Sequence, residues 1–424
     1  MPAGCFLDIS KVAKDYFAAR GVKSNVGVEI PVVAVGKLGY PDLAEKALRD
    51  GKCDMVMLGR PVLADPDWCN KAYAGKVEDI RPCIGCQEGC VNEFVEGGHP
   101  QCAVNPRTGF EDVMPKEFPK AEKVKRVAVV GGGSAGMNFA LVAAKRGHKV
   151  EIFEKSDRLG GKLWPASKPL VKFDMMNYTQ WLIAQIEKAE GITVHLNKPV
   201  DNDFLKSEGF DVIVFAVGAQ GSDKLPPIPG IQGAKTVDGV DLLNHPEKLG
   251  DAKKIVVIGG GSVGMETAYW LEYEHGCDVT VVEMLKYMMD GACTANRGHL
   301  IHYFEKAGGK LINCSKVVGF GGDNSVKIER NISKGVPDPY CTWTPVIPKN
   351  IDNPLAPKMG PESLIESLPA DLVVLCMGRA ANQEPYYKAI EERIAPEIYN
   401  IGDSLQAGNL LTGNRAAWST AAMI

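Results

Sequence analysis

Apolar and polar positions change rhythm along this chain, and the changes mark its parts. Between residues 5 and 20 the apolar side chains fall at Phe6, Leu7, Ile9, Val12, Ala13, Tyr16 and Phe17, the i, i+3, i+4 spacing of an amphipathic helix. Residues 30–35 (IPVVAV) then run continuously apolar up to Gly36, as a buried strand of a parallel sheet does. A helix over 43–48 follows, entered after Pro41 and Asp42, and a second buried strand over 55–58 is closed by Gly59, Arg60 and Pro61. This α-β-α-β order has the tempo of a (β/α)8 barrel. Two strands cannot close a barrel or bury its inner face, so the pattern predicts only the end of one.

After a polar, proline-bearing linker over 114–123, buried strands return in another setting. A strand over 125–130 enters Gly131-Gly-Gly133-Ser-Ala-Gly136 and a helix to Arg146, and the next strand, 150–153, ends in Glu154. A glycine triplet alone is weak, but strand, glycines, helix and a later acid together make the full dinucleotide fingerprint. Gly131 serves the turn, Gly133 the approach of a pyrophosphate and Gly136 the packing of helix on strand, while Glu154 would accept from ribose hydroxyls. The fingerprint recurs: a strand over 254–258 leads to Gly259-Gly-Gly261-Ser-Val-Gly264, and the strand 279–282 ends in Glu283. Two dinucleotide sites are therefore expected. The Glu283 carboxylate would repel a 2′-phosphate, and only Lys286 follows it closely, so NADH is favoured over NADPH.

The segment 211–218, ending in Gly218, is echoed by 371–378, ending in Gly378, and we expect 371–378 to return the chain to its first nucleotide domain. Between Gly319 and Leu368 a polar stretch rich in Pro and Asn is expected to form a hairpin and a long loop. The chain stops within an expected helix over 416–424, with no capping residue.

The chemistry at the centre is Cys83-Ile-Gly-Cys86-Gln-Glu-Gly-Cys90, with Cys102 beyond it. The C-x2-C-x3-C spacing with a more distant fourth thiol is that of an iron–sulfur site. A four-thiolate structural zinc is the alternative, although zinc ribbons pair two knuckles instead of crowding three cysteines together. His99, beside this loop, reads as a surface residue. The other cysteines, Cys5, Cys53, Cys69, Cys277, Cys293, Cys314, Cys341 and Cys376, form no close pair beside a flavin and read as ordinary thiols.

Composition narrows the classes. A chain of 424 residues is longer than one ordinary domain, and 45 % hydrophobic with 24 % charged residues is usual for a globular protein. A net charge of −4 supplies no basic face for nucleic acid. No signal peptide and no membrane-spanning apolar run is evident. Twelve cysteines without a secretory signal suggest a reducing cytoplasm, where clustered thiols bind metal.

Several of these stretches resemble known families. Residues 32–68 (VVAVGKLGYPDLAEKALRDGKCDMVMLGRPVLADPDW) look like the last two βα units of the Old Yellow Enzyme barrel. That resemblance implies an FMN phosphate site at Gly36 and Lys37 after the first strand and at Gly59 and Arg60 after the second. A strand-ending turn with a surface arginine is the plainer reading of Gly59 and Arg60. The run from Arg81 to Cys86, with Cys102-Ala-Val-Asn-Pro106, is similar to the 2,4-dienoyl-CoA reductase and clostridial enoate reductase branch, which implies a 4Fe-4S cluster on Cys83, Cys86, Cys90 and Cys102. The two fingerprints resemble the plan of glutathione reductase, an NAD domain inserted into an FAD domain. Within it Arg158-Leu-Gly-Gly161-Lys162 matches the FAD loop, Gly218 and Gly378 end the two echoing strands, and Gly402-Asp403 matches the closing flavin motif. Asp403 as a helix N-cap is the plainer reading.

Together these give an α/β fold with a barrel end at 1–80, a cluster segment and linker at 81–123, an FAD domain at 124–224 and 368–424, and an NAD(H) domain at 225–367, crossed into near 225–230. The implied cofactors are FAD, NADH, a 4Fe-4S cluster and FMN, and the implied activity is reduction of an activated C=C bond in an enoate, an enoyl thioester or a steroid enone. Either a second chain or further sequence before residue 1 would supply the rest of the barrel. The other readings are an NADH:acceptor oxidoreductase with FAD and cluster only, an amine dehydrogenase relative and a structural subunit.

Overall fold

The computed structural model describes residues 2–221, 228–340 and 357–424. Cys341 and residues 225–227 of the expected linker lie outside the described residues. At the N-terminal end the helix Leu7–Ala19 precedes β1 (Val33–Ala34), and the helix Pro41–Arg49 precedes β2 (Met55–Val56). β1 and β2 pair in parallel, Val33 with Met55 and Ala34 with Val56. Because side chains alternate across a strand, Ala34 is buried with Leu7, Leu38, Ala47 and Cys53, while Val33, Val35, Met55 and Met57 are exposed on the opposite face.

Two parallel sheets follow. Their strands and connections in chain order are β3 (Arg126–Val130), β4 (Lys149–Phe153), β5 (Ile192–His195), β6 (Val212–Phe215), β7 (Ala219–Gln220), β8 (Thr236–Asp238), β9 (Lys254–Ile258) and β10 (Asp278–Val282). They continue with β11 (Lys310–Ile312), β12 (Ser315–Phe320), β13 (Val326–Asn331), β14 (Ser363–Leu368), β15 (Leu372–Leu375), β16 (Ala380–Ala381) and β17 (Glu397–Asn400). The first sheet has the order β17-β6-β3-β4-β5 and the second β11-β10-β9-β15-β8. The chain crosses between them at an antiparallel pair, β7 with β16. The expected hairpin is β12–β13, and β14 extends it to three antiparallel strands. The final helix is Leu410–Met423.

The segment 371–378 corrects one expectation. β15 pairs with β9 and β8 of the second sheet, so the chain returns to the first sheet only at β17. The likeness of 371–378 to 211–218 arises because both do the same work in different units. Asp211 accepts the amide of Arg126 at the start of β3 (2.8 Å), and Asp371 accepts the amides of Lys253 and Lys254 at the start of β9 (2.9 and 2.8 Å).

The main core joins the first sheet to the cysteine loop. Val127, Val129, Phe139, Tyr178, Leu182 and Trp418 pack with Ile84, Ala103 and Val104, and Cys83, Cys86 and Cys102 lie against this cluster. A buried polar network fixes the contact: Asn414 donates to the Ala103 carbonyl (2.8 Å) and to the Tyr178 hydroxyl (3.2 Å). The loop is thus anchored by burial and by these paired polar groups. Among the described residues no helix is long and apolar enough to cross a membrane.

Candidate functional site

Each nucleotide unit builds the same cradle. Gly131 has φ 111° and a Cβ there would meet the Ala216 carbonyl oxygen at 2.4 Å; Gly259 has φ 104° and would meet that of Cys376 at 2.4 Å. A Cβ on Gly136 or Gly264 would fall 2.1 or 1.8 Å from the carbonyl of its own first glycine. A Cβ on Gly133 or Gly261, by contrast, would meet nothing within 4 Å among the described residues. The first and third glycines are required by the protein itself, and the middle ones face open space that a pyrophosphate fits. Gly161, at φ 50°, lies over this space, its added Cβ 3.3 Å from Gly133 Cα.

The acids repeat as well. Glu154 accepts the amides of Gly132 (2.8 Å) and Ser156 (2.9 Å), and Glu283 accepts those of Gly260 (2.6 Å) and Leu285 (2.8 Å). Both carboxylates are buried and held at the strand ends by backbone donors. At the crossing of the two units the Lys162 ammonium is buried without a hydrogen-bond partner among the described residues, 3.6 Å from the Asp403 carboxylate and about 3.9 Å from the Cβ position of Gly218. Burial lowers the Lys162 pKa. Arg379, next to Gly378, pairs with Asp238 at 2.8 Å. The cap of the final helix is Asn409, which accepts from Thr412 (3.1 Å), so Asp403 is free of that duty.

Cys83, Cys86, Cys90 and Cys102 line one pocket, walled also by Arg60 and Leu63 from the barrel end and by Ile84, Gly89, Gln101 and Val104. Gly89 is needed where the loop closes, since a Cβ would sit 2.9 Å from the Gln101 backbone. Burial pushes the Cys83 thiol up to about 11 and raises Cys86 and Cys102 as well. Thiolates in such a wall need a cationic centre between them. Among the described residues no three His, Cys, Asp or Glu side chains are placed to hold a single metal ion. The loop also touches the second unit: Asn296 donates to the Cys86 carbonyl (2.5 Å), Gln87 donates to Asn296 (3.1 Å), and the Thr294 amide donates to Asn92 (3.2 Å).

The barrel-end residues are drawn toward the first unit. Gly36, at φ 128°, packs against Phe6 and Cys5, and Gly59 begins the short helix Arg60–Ala64. Lys37 pairs with the buried Asp174 at 2.6 Å, its ammonium 4.1 Å from the centre of the Phe173 ring. Asp174 also accepts the Tyr40 hydroxyl, and burial with this bond raises the Tyr40 pKa well above its ordinary value. Arg60 is at the cysteine cavity. Sequence reasoning missed Asp174, Tyr40 and Asn296, because contacts across more than a hundred positions leave no local signal. His99 is exposed and bonds the Gly109 carbonyl at 2.6 Å, as a surface residue.

Residues 125–404 match the family model described as pyridine nucleotide-disulphide oxidoreductase. The chain belongs to that family. A flavin and NAD(P)H are therefore its nucleotides. Over the longer span it is similar to cinnamate reductase of Clostridium sporogenes, 34 % identical over 92 % of this chain and 52 % of that protein. It is also similar to NADH oxidase of Thermoanaerobacter brockii, 32 % identical over 92 % of this chain and 56 % of that one. The solved structure of 2-naphthoyl-CoA reductase in complex with 2-naphthoyl-CoA superposes with a TM-score of 0.84 at 30 % identity, covering 100 % of this chain and 57 % of that one. These relatives lie in the enoate reductase, Old Yellow Enzyme-like branch that the barrel-end and cysteine motifs resemble. The chain spans about half the length of the curated relatives it matches.

Proposed function

We propose that this chain is the electron-input part of an NADH-dependent flavin and iron–sulfur oxidoreductase that reduces an activated C=C bond in an enoate, an enoyl thioester or a steroid enone. One observation carries the reading: four thiols share a single cavity between a barrel end and a pair of nucleotide cradles. The C-x2-C-x3-C spacing with a more distant fourth thiol supports a cluster over zinc, whose ribbons pair two knuckles.

NADH at Gly259, Gly261, Gly264 and Glu283 would supply hydride chemistry to FAD at Gly131, Gly133, Gly136 and Glu154, a 4Fe-4S cluster on Cys83, Cys86, Cys90 and Cys102 would supply one-electron transfer, and FMN beside Gly36, Lys37, Gly59 and Arg60 would supply hydride chemistry toward the alkene. The chain's own residues orient these groups. The first unit takes FAD, with the Gly131–Gly136 turn against the pyrophosphate and Glu154 accepting ribose hydroxyls. The second takes NADH in the same way through Gly259, Gly261, Gly264 and Glu283. Lys162 and Asp403 face the flavin side, the ammonium as donor and the carboxylate as acceptor for the ribityl chain. Gly36, Lys37, Gly59 and Arg60 remain the candidates for the FMN phosphate, with Lys37 shared with Asp174. The rest of a barrel, from a second chain or from further sequence, would bring the alkene pocket and its proton donor.

The test is anaerobic purification with separate assays for FAD, FMN, iron and acid-labile sulfide, followed by NADH addition. Rapid bleaching of FAD with iron and sulfide present is the expected result; no bleaching by NADH defeats the reading. The similarity to NADH oxidase favours one second reading, an NADH:acceptor oxidoreductase, which would hold no FMN even when the barrel is complete.

A further inference from the structure

Arg81 is partly buried, and its Nε is fully buried without a hydrogen-bond partner among the described residues. Its Nη1 donates to the Ala64 carbonyl at 3.5 Å, a long contact. Among the described residues it forms no ion pair. Asp65, the acid beside it, is already engaged by Lys71 (2.6 Å), by the Arg81 backbone amide (2.7 Å) and by the Asp67 amide (3.1 Å). The guanidinium instead lies over the rings of Trp181, 5.0 Å from its centroid, and Trp418, 5.8 Å from its centroid. Arg107 and Lys145 repel it, while Asp65, shared with Lys71, and Cys102 attract it.

A guanidinium stays protonated in a protein and is costly to bury without a counter-charge. Cys102 is the thiol that feels its field, and Cys83 is two positions along the chain. Resting on the cluster reading above, we propose that Arg81 is the counter-charge of the four-thiolate centre and holds its reduction potential up, with Trp181 and Trp418 keeping the guanidinium in place. The step concerned is uptake of one electron, supplied by NADH through the flavin. No bond is made or broken and no proton moves; the centre gains one negative charge, which a fixed neighbouring cation stabilises.

The test is an anaerobic redox titration of the intact protein followed by electron paramagnetic resonance, with iron and sulfide measured on the same samples. Arg81→Met keeps an unbranched side chain against the indoles and removes the charge. At a fixed ambient potential it is expected to lower the reduced-to-oxidised ratio about tenfold, a shift of about 59 mV downward for a one-electron couple. Arg81→Lys keeps the charge and is expected to stay within about threefold of the parent. A parent-like potential in Arg81→Met, or an equal fall in Arg81→Lys, overturns the proposal. If Arg81→Met holds no iron, retention of iron and sulfide in Arg81→Lys supports the counter-charge role, and loss in both overturns it. Parent protein lacking iron and sulfide refutes the cluster reading itself, and the inference falls with it.

Discussion

The two cradles make a sharp prediction because glycines a few residues apart are needed for different reasons. In Gly136→Ala the new Cβ would lie 2.1 Å from the Gly131 carbonyl oxygen and 3.2 Å from Val129 Cγ1. Relief needs the helix to lift from the strand by roughly 1 Å in a close-packed interior, at a cost of about 3 kcal/mol. In Gly133→Ala nothing of the protein lies within 4 Å, and φ of −76° suits any residue. Fold stability should then move by less than about 1 kcal/mol, while the methyl occupies the space a pyrophosphate needs. FAD should bind on the order of tenfold to a hundredfold more weakly, about 1.4 to 2.8 kcal/mol. The assay pairs thermal unfolding of the flavin-free protein with fluorescence titration by FAD. Gly261→Ala, at φ −69°, should leave both of those readings alone and raise only the KM for NADH. The reasoning is refuted if Gly133→Ala unfolds as readily as Gly136→Ala while binding FAD like the parent.

Three further outcomes follow from the geometry. Glu283→Ala removes the carboxylate held by Gly260 and Leu285, and steady-state kinetics should show the NADH over NADPH preference falling by at least about tenfold, roughly 1.4 kcal/mol. Asp174→Ala strips Lys37 and Tyr40 of their shared partner; hydrogen exchange should quicken across residues 2–80, by about 2–3 kcal/mol of local stability given that Lys37 is part-exposed, with FAD content unchanged. His148 accepts the Lys125 amide on Nδ1 (3.1 Å) and meets the Ile424 carbonyl through Nε2 (3.2 Å), and burial lowers its pKa. Below about pH 6.5 the unfolded chain therefore binds the extra proton first, so stability falls as pH drops, by up to about 1.4 kcal/mol per unit. Thermal unfolding between pH 7.5 and 5.5 should show that slope, and His148→Gln should flatten it in part, since His275 and His299 are lowered in the same way.

Much of the fold was legible in the sequence because its determinants are local. Gly131, Gly133 and Gly136 sit on a strand–turn–helix that any reader of spacing can find, and Glu154 lies at the end of the next strand. The second copy, Gly259 to Glu283, is legible for the same reason. What spacing could not reveal was partnership across the chain. The strand at 371–378 carries the same signature as that at 211–218, and only sheet pairing shows that it serves β9 and not β3. Spacing singles out Lys37 as a phosphate ligand but gives no sign of Asp174, which shares it. Arg81 stood in the cysteine motif, yet its interest lies in forming no ion pair among the described residues and in two indoles from distant helices.

The central claim is that Cys83, Cys86, Cys90 and Cys102 hold an electron relay. Iron and acid-labile sulfide, measured on anaerobically purified protein beside its electron paramagnetic resonance spectrum after NADH, test it most directly. The account predicts about four of each per chain and a signal that grows on reduction. Protein with neither element, or with one tightly held zinc in their place, contradicts it.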